Sequence, residues 1–180
     1  AFSPNQYANQ ANPDAHYRTT GPEIWEQTAG AVDVLVVGVG TGGTITGTAR
    51  YLKEQKSDLE VVGVDPVGSI YTAASDAEVH TYLTEGVGED FWPETFDPDI
   101  VDRFIQVSDR AAYGMARRLA EIEGVLVGSS GGLAVQGALE VAADVPDKLV
   151  IVIIADSGRS YVSKVFNDEW MAEHDLLENP

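Results

Sequence analysis

The sequence predicts an α/β fold in which a mostly parallel, twisted sheet carries helices on both faces. Short β-branched runs alternate with segments of helical period along the chain. These runs are apolar throughout, as strands buried on both faces are. Most of the 18 glycines stand where a predicted strand passes into a predicted helix. We therefore expect right-handed crossovers within one compact unit spanning residues 1–180.

The first part of the chain predicts little regular structure before residue 20. Residues 1–17 are rich in Asn, Gln and Pro, which indicates a loop or short turns. Thr20 is followed by Pro22 and Glu23, a helix-start pattern in which the Thr20 hydroxyl is the N-cap. The helix runs to about Gln27.

The rest of the chain alternates strands with helices. Residues 33–38 and 60–65 are β-branched runs, and the helix between them, residues 42–55, carries Ile45, Ala49 and Leu52 near the helical period. Residues 66–99 are less regular. Ser108 caps a helix that has Ala112 on its apolar face. The remaining predicted strands are residues 103–107, 125–127 and 148–154, and the remaining predicted helices are residues 131–143 and 159–173.

Composition excludes several classes of function. The chain has 11 Lys and Arg against 29 Asp and Glu, a formal net charge of −18, and such a surface repels nucleic acid and anionic membranes. It contains no cysteine, which excludes disulfides and thiolate metal sites. Its three histidines lack metal-ligand spacing, so no metal site is expected. No basic segment followed by an apolar one stands at the start of the sequence, so no secretory signal is visible there. We expect no spanning segment, since the apolar runs are far shorter than a transmembrane helix.

The sharpest local motif is the glycine-rich stretch Gly38–Thr44, GVGTGGT, between a predicted strand and a predicted helix. Glycines let backbone N–H groups approach an anion at the helix N-terminus, so the stretch predicts a phosphate site. Two other interpretations stay open. Gly38, Gly40 and Gly43 also fit the dinucleotide pattern, with Asp65 as the ribose ligand, and a tight turn without ligand is common. The hydroxyls of the loop favour a monophosphate.

A second glycine-rich junction, residues 128–132 (GSSGG), also follows a predicted strand and begins a helix. The carboxyl ends of parallel strands lie at one edge of a sheet, so both junctions should face the same crevice. Ser130 is then either an ordinary helix cap or a hydroxyl that contacts a ligand above the sheet.

Taken together, these residues resemble the fold type II enzymes that use pyridoxal 5′-phosphate, specifically cystathionine β-synthase and cysteine synthase. The resemblance runs from Gln6 to about Trp170, and residues 63–69, 156–157 and 167–171 look more like cystathionine β-synthase. It implies a fold like the tryptophan synthase β subunit, of which this chain is the C-terminal portion. The landmarks are Gln6-Tyr7, Asn12-Pro13, His16-Tyr17, residues 19–23, the Gly38–Thr44 stretch, residues 86–88, residues 123–131 and residues 156–161.

The resemblance also implies roles for eight residues. Ser130 matches the serine that hydrogen-bonds the pyridine nitrogen, and an uncharged hydroxyl there makes the ring a weaker electron sink, which favours loss of a β-substituent over transamination. Gln6 matches a glutamine near the substrate carboxylate, and Gly88 a glycine in a mobile segment. The five residues matched to the cofactor phosphate are Gly40, Thr41, Gly42, Gly43 and Thr44.

The chain departs from the family pattern in two places. The Schiff-base lysine of the family lies in an N-terminal segment with no counterpart here, and Lys53, Lys56, Lys148 and Lys164 match no catalytic position, so this chain is expected to contain no catalytic residue. Glu89 stands where a tyrosine is expected, which alters the contacts to substrate.

The resemblance predicts a part of a β-replacement enzyme that joins serine and homocysteine. The alternatives are a cysteine synthase, which uses O-acetylserine and sulfide, a non-catalytic module that binds nucleotide or pyridoxal phosphate, and an inactive truncation. The expected partners are small amino-acid and thiol substrates, and the complete enzyme is expected to be a cytoplasmic homodimer.

Overall fold

The computed structural model describes residues 2–177; Ala1 and residues 178–180, the ends of the predicted unit, lie outside the described residues. Four parallel strands form one sheet in the order β3-β2-β1-β4. The strands are β1 (Val34–Gly38), β2 (Glu60–Pro66), β3 (Arg103–Val107) and β4 (Val150–Ile153). The helices are α1 (Ala11–Arg18), α2 (Thr20–Gln27), α3 (Gly43–Gln55), α4 (Asp109–Ile122), α5 (Ser129–Asp144) and α6 (Asp168–Glu173).

The sheet has one apolar cluster on each face, which confirms the predicted α/β class. Alternate residues of β1 divide between them: Val34 and Val36 pack with α4, α5 and α6, whereas Leu35 and Val37 pack with α2 and α3. The strands are buried on both sides because crossover helices cover both faces. In β4 every residue remains half-exposed, because it lies at the edge of the sheet.

Three sequence predictions about elements are wrong. Residues 2–17 are not all loop, because they contain most of α1, whose Pro13 lies in the first turn where no amide donor is needed. Residues 125–127 pair with no described strand: Val125 and Leu126 are more than 40% exposed, and apolar propensity cannot form a strand without a neighbour. The predicted helix at residues 159–173 is a 3₁₀ turn, Gly158–Tyr161, followed by the separate helix α6, which Asn167 caps.

Two predicted helix caps are also wrong, and the remaining helices differ only at their ends. Thr20 lies inside α2, and Thr19 precedes the helix without a side-chain cap. Ser130 is the second residue of α5, whose N-cap is Gly128, so Ser130 is not a capping residue. Ser108, by contrast, caps α4 by accepting a hydrogen bond from the Ala111 amide, as predicted. Within residues 2–177 no helix is long and apolar enough to span a bilayer.

Candidate cofactor site

A cavity of about 520 Å³ opens at the carboxyl edge of the sheet, where β1 and β4 end and α3 and α5 begin. Both glycine-rich junctions line it, as the sequence predicts. Its volume lies within the range usual for cofactor sites. Seven of the eight residues proposed for cofactor and substrate line the cavity: Gln6, Gly40, Thr41, Gly42, Thr44, Gly88 and Ser130.

The loop between β1 and α3 has the shape of an anion cradle. Gly42 adopts a left-handed conformation with φ of 78°, and a Cβ there would lie 2.4 Å from Phe96. A Cβ on Gly40 would lie 2.8 Å from the Gly86 carbonyl oxygen. Neither position accepts a side chain, so the loop backbone itself forms the cavity wall. The N-terminus of α3 also faces the cavity, with the backbone amides that a first helical turn leaves without helical partners. Such a site fits a phosphate group.

Gly43, the eighth proposed residue, lies behind the loop rather than on the cavity wall. It is the first residue of α3, and a Cβ there would lie 1.9 Å from the Asn12 Oδ1. Its role is therefore twofold, because its amide belongs to the helix N-terminus and its missing side chain admits α1.

Aromatic and hydroxyl side chains that do not line the cavity hold the loop in place. The Tyr71 hydroxyl donates to the Gly40 carbonyl at 2.5 Å, and the Thr95 hydroxyl donates to the Thr41 carbonyl at 2.7 Å. Tyr71 is buried and packs against Phe96 with ring centroids 4.8 Å apart. Sequence reasoning missed these residues because they come from the irregular segment 66–99, whose path no periodicity predicts.

The α1 helix supplies hydrogen bonds to both threonines of the loop. The Asn12 Nδ2 lies 3.0 Å from the Thr41 Oγ1, and the His16 Nε2 lies 3.1 Å from the Thr44 Oγ1. From the sequence, His16 is a landmark of the resemblance, is excluded as a metal ligand and is assigned no other role. The spacing of four between Asn12 and His16 could have indicated a shared helical face, but α1 itself was not predicted.

Ser130 also lines the cavity, from the first turn of α5, and is only 7% exposed. Among residues 2–177, no side chain or backbone group hydrogen-bonds its hydroxyl, whereas the hydroxyl of the adjacent Ser129 accepts from the Glu85 amide. The Ser130 hydroxyl therefore remains available to a ligand in the cavity.

The segment 82–89 forms the remaining wall. Gly88 has φ of 74°, its amide donates to the Val39 carbonyl at 2.7 Å, and a Cβ there would lie 2.5 Å from the Tyr82 hydroxyl oxygen. Tyr82 and Glu89 line both this cavity and an adjacent one of about 400 Å³. Burial, with Asp90 nearby, raises the pKa of the Glu89 carboxyl. Glu89 thus places a partly desolvated carboxylate between the two cavities.

Asp65 does not line the cavity. The dinucleotide alternative, which assigned Asp65 as the ribose ligand, is therefore wrong at this residue. Asp65 has no exposed surface, and its Oδ2 accepts a hydrogen bond of 2.7 Å from the Thr72 hydroxyl. Its Oδ1 has no partner in the described part of the chain, and burial raises the pKa of this carboxyl to about 6. A ribose hydroxyl in the cavity could not contact it.

All four lysines lie in the described part of the chain, and none lines the cavity. Lys53 pairs with Asp102, Lys56 with Asp33, and Lys164 with Glu85, while Lys148 is exposed. Residues 2–177 also contain no cluster of three or more His, Asp or Glu side chains suited to a metal ion.

Comparison with known proteins identifies the family. The family described as "Pyridoxal-phosphate dependent enzyme" matches residues 1–156. The chain is 42% identical over 177 residues to cystathionine β-synthase of Apis mellifera, which covers 97% of this chain and 35% of that protein. It is 44% identical over 178 residues to the Oryctolagus cuniculus protein of the same name, covering 97% and 32%. It is also 42% identical over 181 residues to cysteine synthase A of Escherichia coli K12, covering 96% and 56%.

Proposed function

The chain belongs to the pyridoxal-phosphate-dependent enzyme family, and on that premise we propose that it forms part of the core of a cystathionine β-synthase-like enzyme. It spans about a third of the length of the cystathionine β-synthases it matches and just over half of cysteine synthase A. The proposed reaction breaks the Cβ–O bond of serine, forms a Cβ–S bond to homocysteine and releases water.

In this proposal, different residues of the cavity bind different parts of the cofactor and the substrate. Loop amides and the two threonine hydroxyls hold the phosphate, and the Ser130 hydroxyl meets the pyridine nitrogen. Bound pyridoxal phosphate supplies an electron sink for the carbanion formed at the substrate α-carbon. Ser130 tunes that sink, because a neutral hydroxyl does not keep the ring nitrogen protonated as a carboxylate does. We assign Gln6, an exposed residue that lines the cavity, to the substrate carboxylate, as the resemblance implies.

This chain supplies no base in the proposal. Because none of its lysines lines the cavity, the Schiff-base lysine is contributed by a segment outside this sequence, and the chain alone is inactive. The resemblance also supports a homodimer located in the cytoplasm for the complete enzyme. Analytical ultracentrifugation of that enzyme tests the dimer, and a monomer would contradict it.

The single observation that favours homocysteine over sulfide is the position of Glu89. Glu89 lines both the main cavity and the adjacent one. We propose that the second substrate enters through the adjacent cavity. An α-ammonium group of homocysteine is attracted by the Glu89 carboxylate, and the attraction is strengthened by partial desolvation. Bisulfide is an anion and gains nothing from it. Sequence identity alone leaves the two activities equal, since relatives of both names are about 42% identical.

The test compares substrate pairs in the complete enzyme, in which this chain is joined to the lysine-bearing segment. We expect a higher kcat/KM with serine and homocysteine than with O-acetylserine and sulfide. Glu89→Gln should lower kcat/KM for homocysteine about tenfold, the loss of one charged contact, and leave sulfide unchanged. Glu94→Gln is the matched control, since Glu94 is exposed, lies in the same segment and does not line the cavity. Preference for the sulfide pair would favour cysteine synthase, and no activity with either would favour a binding module.

A further inference from the structure

The first helix, α1, lies directly behind the phosphate loop because two glycines of α3 admit it. A Cβ on Gly43 would lie 1.9 Å from the Asn12 Oδ1, and a Cβ on Gly47 would lie 2.0 Å from the Pro13 carbonyl oxygen. These glycines are one helical turn apart on α3 and face α1. Asn12 and His16, one turn apart on α1, are thereby brought against the two threonines of the loop.

The hydrogen bonds of Asn12 fix the direction in which the Thr41 hydroxyl donates. The Asn12 Nδ2 lies 2.9 Å from the Gln6 carbonyl oxygen and 3.0 Å from the Thr41 Oγ1. A carbonyl only accepts, so the atom at this position is the amide nitrogen, and its two protons serve both contacts. The Thr41 oxygen is therefore an acceptor towards Asn12. Its own proton points elsewhere, and Thr41 lines the cavity.

His16 occupies the same place behind Thr44. Its Nδ1 lies 2.9 Å from the Thr20 Oγ1 and its Nε2 lies 3.1 Å from the Thr44 Oγ1. A neutral imidazole donates through one nitrogen and accepts through the other, and partial burial favours the neutral form by lowering the pKa of His16. If Thr20 donates to Nδ1, then Nε2–H donates to Thr44. The Thr44 proton is then free to point into the cavity.

We propose that Asn12 and His16 are positioning residues that turn both threonine hydroxyls into donors for the cofactor phosphate, with His16 held as the Nε2–H tautomer. A phosphate dianion only accepts hydrogen bonds, so each hydroxyl must present its proton to bind it. A donor placed behind each hydroxyl fixes that orientation before the ligand arrives, which lowers the entropic cost of binding. This inference concerns the phosphate and holds for either sulfur substrate.

The tautomer of His16 gives the first test. The full chain is labelled with ¹⁵N-histidine, and the ring nitrogen shifts are measured before and after addition of inorganic phosphate at neutral pH. The His16 signals are assigned by their loss in His16→Gln. We expect the Nε2–H tautomer in the presence of phosphate, while His80, which does not line the cavity, keeps its shifts. An Nδ1–H tautomer for His16 in the phosphate-bound chain overturns the assignment.

Binding of inorganic phosphate and of pyridoxal phosphate gives the second test. Asn12→Asp replaces the donor behind Thr41 with an acceptor that captures its hydroxyl proton, and we expect about tenfold weaker binding of either ligand. Asn9→Asp is the matched control: it adds the same charge three residues away, and its oxygen can still accept from the Ala11 amide. His16→Leu should lose affinity similarly, and His16→Gln, which keeps a side-chain donor, should recover part of it.

Several outcomes overturn the proposal. They are equal affinity of Asn12→Asp and Asn9→Asp, equal affinity of His16→Leu and the parent, or no phosphate binding by the parent. Circular dichroism establishes that each variant is folded, and the tautomer measurement uses the unaltered binding residues, so a variant that fails to fold leaves the proposal testable. Neither readout depends on turnover. A failed substrate assay would therefore count against the proposed reaction and not against these hydrogen bonds.

Discussion

Gly47→Ala is the most informative single change, because the intrinsic preference and the packing act in opposite directions. In an open helix, replacing Gly by Ala stabilises by about 1 kcal/mol. In α3 the new Cβ would lie 2.0 Å from the Pro13 carbonyl oxygen, which is backbone and cannot rotate away. An ordinary contact begins near 3.4 Å, so α1 must move back by more than an ångström. Overpacking of this kind costs about 1–3 kcal/mol.

We therefore expect Gly47→Ala to lower the free energy of unfolding by up to about 2 kcal/mol after the helix preference is offset. Phosphate affinity is expected to fall as well. The contacts from Asn12 to Thr41 and from His16 to Thr44 are 3.0 and 3.1 Å, so a shift of an ångström breaks both. Loss of the two oriented donors should weaken phosphate binding at least about tenfold.

The assay pairs urea unfolding with titration of inorganic phosphate on the full chain. Gly124→Ala is the control, because Gly124 has φ of 68° with open space around its Cβ, so Ala there introduces backbone strain without moving α1. Both variants should lose stability, and only Gly47→Ala should lose phosphate affinity. If Gly47→Ala binds phosphate as the parent does, the contact with α1 does not organise the loop.

Two further changes test the surroundings of the loop. Tyr71→Phe removes the donor to the Gly40 carbonyl and should cost about 1–2 kcal/mol of unfolding free energy in urea; an unchanged midpoint would mean that water replaces the hydroxyl. Because burial raises the folded-state pKa of Asp65 from 3.8 to about 6, the unfolded chain loses this proton first as pH rises, and the parent is destabilised between about pH 4 and 6. Asp65→Asn cannot ionise, so its stability relative to the parent should rise by up to about 3 kcal/mol from pH 4 to 7, and a pH-independent difference would contradict this.

The sheet and the glycine loop could be predicted because their signals are local. A β-branched run such as residues 33–38 and the glycines that follow it need only nearby residues to define a strand and a turn. The 125–127 run shows the limit, since it has the same composition and pairs with no described strand. Strand formation requires a partner for the backbone, and a single run does not contain that information.

The contacts that organise the site could not be predicted because they join distant parts of the chain. Tyr71 reaches Gly40 from an irregular segment, and its hydrogen bond spans 31 residues. Asn12 contacts Thr41, which is 29 residues away in the sequence. Asn12 lies on α1, a helix that was not predicted because residues 1–17 are rich in Asn, Gln and Pro. The sequence correctly predicts that Asp65 lies at the end of a strand. Only the fold shows that its carboxylate accepts a hydrogen bond from Thr72 rather than from a ligand.

The electrostatics of the chain give a physical reason for the oriented neutral donors proposed at the phosphate loop. The net charge of −18 produces a field that opposes the approach of a dianion. No Lys, Arg or His is among the described residues that line the cavity, so no cation in this chain compensates at short range. What remains is the N-terminal dipole of α3, the loop amides and two hydroxyls. A hydroxyl that rotates freely presents oxygen as readily as hydrogen, and its oxygen would add to the repulsion. When both protons point into the cavity, each threonine hydroxyl attracts the phosphate instead of contributing nothing. In the proposal, Asn12 and His16 of α1 supply this orientation.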